Sequence, residues 1–123
     1  MIQMPAQDRA LVDTSAVARL EQRVGTRRCQ ELVEETIYEI TDKLAKMERA
    51  VKAERFDDAR DLARGLIGAC TRIGLIRMSL VATDLTEVIA LDDRPAIGAI
   101  AARLVRLGED SLFTLVRIGG DGV

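Results

Sequence analysis

Three observations predict an all-α protein. The 123 residues hold one Tyr, two Phe and no Trp, so any core must be aliphatic, built from Leu, Ile, Val, Ala and Met. That composition suits packed helices better than strands, which favour aromatic and β-branched residues. Apolar residues recur at steps of three and four over long stretches, the period of a helix with one buried face. The breaks between these stretches are short, and only two prolines interrupt the chain. Long amphipathic helices joined by turns of two to five residues favour an antiparallel up-down four-helix bundle, here with a short extra N-terminal helix.

The elements follow in order. Residues 1–10 are expected to be loosely ordered or to form a short helix. Asp13-Thr14-Ser15 is a helix start, with side-chain oxygens able to accept from free backbone amides. The helix it opens runs to Val24, with Val17, Leu20 and Val24 on one face, and Gly25 stops it. Thr26 is placed to cap the longest helix, from about Arg27 to Lys52. Its apolar seam is Cys29, Val33, Ile37, Ile40, Leu44, Met47 and Val51, with Glu34, Glu35, Lys43, Lys46 and Arg49 on the solvated side. Ala53-Glu54-Arg55 forms a tight turn.

A helix from about Phe56 to Gly74 comes next. At about 100° per residue, Ala59, Leu62, Leu66, Ala69, Cys70 and Ile73 share one side. Asp57, Arg60, Asp61, Arg64, Gly68, Thr71 and Arg72 share the other, with Arg64 at its centre. Gly65, Gly68 and Gly74 each cost about 0.5–1 kcal/mol relative to Ala inside a helix, so a close approach of another backbone or a partner must justify them. After a kink or break near Gly74, helix resumes from Leu75 to about Leu91, with Met78, Val81, Leu85, Val88 and Ile89 apolar. Asp92-Asp93-Arg94-Pro95 is a turn with an Asp cap. The last helix spans about Pro95 to Ile118 on an apolar face of Ile97, Ile100, Ala101, Leu104, Leu107, Phe113 and Val116. Gly119-Gly120 is expected to end it, leaving 119–123 as a flexible tail and 11–118 as the bundle.

Composition narrows function. A net charge of −2 and the lack of aromatic stacking platforms argue against nucleic-acid binding. No apolar run is long enough for a membrane span and the first ten residues lack a signal-like apolar stretch, so a soluble cytoplasmic protein is expected. Cys29 and Cys70 lie in apolar helical settings and are expected to be reduced, buried and inert. Asp57, Asp61 and Asp84 read as solvated helix charges rather than phosphoryl acceptors. Glu31, Glu34 and Glu35 lack the histidines of a di-iron bundle, and no glycine loop of the phosphate-binding type is present. No metal and no cofactor are implied.

One stretch carries more. Arg64-Gly-Leu-Ile-Gly-Ala-Cys-Thr-Arg-Ile-Gly-Leu75 resembles the central helix of the histidine-containing phosphotransfer (HPt) domain family. In that pattern an exposed histidine is followed by a lysine three residues on, a glycine four on and a later apolar-Gly-apolar. Gly68, Ala69, Cys70, Ile73, Gly74 and Leu75 fall on matching positions, and Ala63 matches the alanine before the histidine. The resemblance extends from about Leu11 to Leu115 through the order and spacing of helices. Arg64 stands at the histidine position and Ile67 at the lysine position, and the 123 residues contain no histidine. A guanidinium stays protonated and cannot act as the phosphoryl acceptor.

The resemblance therefore implies a degenerate, non-catalytic member. It would dock a response-regulator receiver domain or a histidine kinase through Arg60, Arg64, Ile67, Gly68, Thr71 and Arg72, and so modulate a phosphorelay. The alternative is a structural, self-associating bundle acting as a dimeric adaptor, with Leu75, Ile76 and Leu115 supplying a homodimer seam. Gly65 and Gly68 could equally serve helix packing or partner clearance.

Overall fold

The computed structural model describes residues 11–121. These form five helices: α1 Thr14–Val24, α2 Thr26–Lys52, α3 Phe56–Arg72, α4 Ile76–Ala90 and α5 Arg94–Asp121. No strand occurs among the described residues. Helix α2 packs on α3, α3 on α4, α4 on α5, and α5 back on α2, while α1 rests on α2. The expectations for residues 1–10, 122 and 123 fall outside the described residues. No helix of the described residues is long and apolar enough to cross a membrane.

The core is aliphatic and sulfur-bearing. Ile40, Met47, Leu66, Ile73, Leu75, Met78, Leu85, Ile97 and Leu104 are all fully buried, drawn from every helix but α1 and from the α3–α4 turn. Alanines 50, 59, 63, 69, 82 and 101 lie among them, small enough for close helix contact. Gly108 serves the same end, since a Cβ there would collide with the Leu44 side chain of α2.

Caps set the helix ends. The Asp13 side chain accepts from the Ser15 amide at 3.0 Å and from its hydroxyl at 2.6 Å, opening α1. These bonds hold the Asp13 carboxyl below the usual range, because they favour its charged form. Gly25 then serves two helices. Its amide donates to the Glu21 carbonyl (2.8 Å), closing α1, and its carbonyl accepts from the Cys29 amide (3.0 Å), opening α2. Thr26 is thus the first residue of α2 rather than its cap, and its hydroxyl donates to the Glu21 carboxylate instead. A left-handed residue (φ 87° at Gly25) did the capping that the sequence reading assigned to a side chain.

The three long-helix connections use one device. After α2, α3 and α4 the chain turns through a left-handed residue, respectively Glu54, Gly74 and Asp92. In each, the next amide reaches back five residues: Arg55 to Ala50 (2.8 Å), Leu75 to Cys70 (2.9 Å), Asp93 to Val88 (3.1 Å). This is the hydrogen bond of a Schellman cap. Asp93 goes on to accept from the Ala96 amide at 3.2 Å, so the expected Asp cap opens α5.

Only one of these turns requires glycine for steric reasons. A Cβ on Gly74 would collide with the Asp13 carbonyl oxygen, and the Asp13 amide donates to the Gly74 carbonyl at 2.7 Å. The strand of chain entering α1 therefore lies directly on the α3–α4 turn, with Val12 buried beside it. Gly74 is in the turn, at the break expected near it.

Other expectations are corrected. Helix α5 runs through Gly119 and Gly120 to Asp121. Glycine tolerates helical dihedrals, so a glycine pair stops a helix only where a left-handed cap forms. Phe113 and Val116, assigned to the buried face of α5, are exposed. Leu104, Ser111 and Leu115 turn inward, and at about 100° per residue this leaves Phe113 on the opposite side.

Two glycine substitutions should move stability in opposite directions. Gly74→Ala combines left-handed strain with the Asp13 collision and should cost about 2 kcal/mol or more. A Cβ at Gly68 meets nothing within 4 Å, so Gly68→Ala should stabilise by about 0.5–1 kcal/mol. Urea unfolding of both variants checks the pair.

Candidate functional site

Helix α3 turns Ala59, Ala63, Leu66, Ala69 and Cys70 into the core, so its opposite side faces outward by helical geometry alone. Its acidic first turn, Asp57 and Asp58, suits the positive end of the helix dipole. Arg64 is exposed at the middle of the outward side. Its nearest carboxylate is Asp61, one turn back at 3.8 Å, and both side chains are open to water. A pair so long and so exposed restrains Arg64 little.

Gly68 lies one turn beyond Arg64 and is exposed. A Cβ there would meet no atom of the described residues within 4 Å, so Gly68 makes no close helix contact among them. Gly65 differs: the aliphatic end of Lys43 from α2 lies across it, with Cε 2.6 Å from where a Cβ would sit. Lys43 in turn pairs with Glu39 at 3.4 Å. The two glycines of this stretch thus do separate things.

The remaining predicted residues spread to the two flanks. Ile67 is half-buried and packs against the core. Thr71 is exposed, but its hydroxyl donates to the Ile67 carbonyl at 2.7 Å and is partly occupied. Arg60 is half-buried, and its Nε is buried with no hydrogen-bond partner among the described residues. Arg72 turns the other way, toward α2, where its guanidinium donates to Glu39 at 2.6 Å. The structure therefore brings Arg64 and Gly68 together as an open centre. Arg60, Ile67 and Thr71 lie to one side of it, while Arg72 is drawn off by Glu39.

Two features escaped the sequence reading. Leu80 of α4 is 59% exposed, one helical turn from Ile76, so α4 carries an outward apolar pair beside its polar residues. Arg19 and Arg23 of α1 approach Arg72 across a surface cavity. The i, i+4 spacing of Arg19 and Arg23 was visible in the sequence. Their meeting with Arg72 depends on the Asp13–Gly74 contact, which no local pattern signals.

Among the described residues no cluster of His, Cys, Asp or Glu is suited to a metal ion. Glu31 and Glu35 instead share Arg28, at 3.0 and 3.6 Å. Both cysteines are free and buried. Cys29 points its thiol at the Val17 carbonyl (3.7 Å), which ties α2 to α1. The Cys70 thiol lies 3.9 Å from the Met78 sulfur inside the core. Burial pushes the Cys70 thiol up to about 12, and Cys29 is raised for the same reason. A thiol so protonated is a poor nucleophile.

Compared with known proteins, the chain matches no family model, no curated protein and no solved structure.

The Cys70 shift has a sign that can be checked. Its folded value lies above the ordinary 9.0. Below about pH 9 both folded and unfolded thiols are neutral and its contribution is whole. Between about pH 9 and 12 the unfolded thiol ionises while the buried one cannot. Stability should then fall by up to about 1.4 kcal/mol per pH unit from this group. The unfolding free energy of Cys70→Ala, measured beside the parent chain over that range, should lack this component.

Proposed function

We propose that this chain is a non-catalytic pseudo-phosphotransfer protein. It is read as an antiparallel four-helix bundle of HPt-like form that binds a two-component signalling partner, a receiver domain or a histidine kinase, and modulates a phosphorelay. The observation that carries the reading is the open centre of α3: an exposed, loosely paired Arg64 one turn from a glycine with empty space above it. The unbroken packing order α2, α3, α4, α5 and back to α2 suits such a bundle.

The chemistry follows from the substitution at the centre. An imidazole can take and pass on a phosphoryl group, whereas a guanidinium offers only fixed donors and a permanent charge. A receiver's active centre is a carboxylate cluster, and forked donors match carboxylates. Arg64 would enter that cluster while Gly68 keeps the path clear. Ile67 would supply apolar contact, and Arg60 and Thr71 would flank it. Occupying the cluster without accepting phosphate would sequester a receiver or slow its turnover.

Calorimetry with candidate receivers tests the face. Arg64→Ala should weaken binding about tenfold, the loss expected for charge-assisted hydrogen bonds. Gly68→Arg should block it by filling the space. Unchanged affinity in both variants, with helicity intact, would remove α3 from the account.

A second reading, a self-associating adaptor, is favoured by a different observation. Leu75 and Leu115, first assigned to a dimer seam, are buried in the core, which leaves Ile76 of that set. Two aromatic side chains are instead displayed: Tyr38 of α2 and Phe113 of α5, 75% and 70% exposed on helices that touch. The Leu44 side chain reaches Gly108 between these helices, and Tyr38 and Phe113 lie six and five residues from that contact. Sedimentation velocity separates the readings. A dimer lost in Tyr38→Ser and Phe113→Ser supports self-association, while a monomer across the accessible concentration range removes it.

A further inference from the structure

We propose that the cavity between α1 and the C-terminal end of α3 binds a phosphate group, as inorganic phosphate or a phosphate monoester. The cavity has a volume of about 450 Å³ and is lined by Ala16, Arg19, Gln22, Arg23, Thr71 and Arg72. Three guanidiniums from two helices surround one space. Arg64 and Gly68 do not line this cavity, so the inference does not rest on the open centre of α3, although Thr71 and Arg72 were expected on the docking face.

The arrangement is built, not incidental. Arg19 and Arg23 are one turn apart on α1 and so share a face, with Gln22 beside them. A chain of side chains orients Arg19: its guanidinium donates to the Ser15 hydroxyl at 2.9 Å, and that hydroxyl donates to Asp13 at 2.6 Å. Arg72 is held from the other side by Glu39. Each of these two arginines commits a donor to its support, and a guanidinium carries five. Both residues line the cavity with donors to spare. Gln22 adds an amide, and Ala16 is short enough to leave the floor open.

Charge decides the ligand class. Three like charges around one cavity favour an anion among them, with Arg72 offset by Glu39 and Arg19 in part by the Asp13 carboxylate. A carboxylate fills one arginine fork. A tetrahedral dianion presents oxygens in several directions and can be met by three. No aromatic or large aliphatic side chain lines the cavity, so a nucleotide base would gain nothing there. Recognition would rest on the phosphate alone.

Nuclear magnetic resonance of the full chain tests this. Inorganic phosphate is titrated at constant ionic strength, with the Nε–H signals of arginine observed. Saturable shifts confined to Arg19, Arg23 and Arg72 are expected. Arg19→Ala or Arg23→Ala should weaken binding about tenfold, whereas Arg103→Ala, on α5, should leave it unchanged. A phosphoserine peptide that binds more tightly than inorganic phosphate assigns the site to phosphorylated chains, and equal binding assigns it to free phosphate or small esters. The proposal is overturned by non-saturable shifts, by shifts spread equally over Arg103 and Arg106, or by acetate producing the same shifts.

Discussion

A close meeting of two backbones organises this molecule. The amide of Asp13 donates to the carbonyl of Gly74, and the carbonyl of Asp13 occupies the space a side chain at position 74 would need. This contact joins the start of the described chain to the turn between α3 and α4. It seats Val12 in the core and fixes where α1 begins. Helix α1 has no buried residue of its own. Its place on the bundle depends on that seat, on the half-buried Val17 and Leu20, and on the Cys29 thiol reaching the Val17 carbonyl. The same carboxylate that caps α1 also steers Ser15 and, through it, Arg19.

Two surface regions with different character result. The centre of α3 is loosely held, with a cation paired among the described residues to the exposed Asp61 at 3.8 Å and a glycine that none of them covers. Beside α1, Arg19 is braced by Ser15 and Arg72 by Glu39. In the proposed function the first region meets a protein partner and needs clearance. The second, with two of its arginines held, suits a compact anion. Gly68 makes the contrast concrete. It gives up about 0.5–1 kcal/mol of helix stability with no internal contact to offset the loss, so the fold itself does not require it.

Much of this was legible in the sequence. Helix bounds followed from apolar spacing and from Asp13, Gly25 and Asp93, and the 3.6-residue period alone set Arg64 outward. Local patterns failed where a distant segment decided the outcome. A break near Gly74 was expected, but only the arrival of Asp13 reveals why the residue is glycine. Arg72 read as part of the Arg64 face, because Glu39, thirty-three positions away in sequence, turns it aside. Phe113 read as core because it is large and apolar, although α5 buries the narrower stripe of Leu104, Ser111 and Leu115. Period fixes a face only to within a residue or two. Neighbouring helices choose which edge of that face is covered.

Hydrogen exchange at the Asp13 amide tests the seat of α1 most directly. If Asp13 is held on the α3–α4 turn, its amide exchanges only when the bundle opens, at a rate close to that of core amides such as Leu75. Exchange as fast as an exposed chain terminus, with Leu75 still protected, would mean that α1 is not seated there. The bracing of Arg19 and its approach to Arg72 would then fall with it.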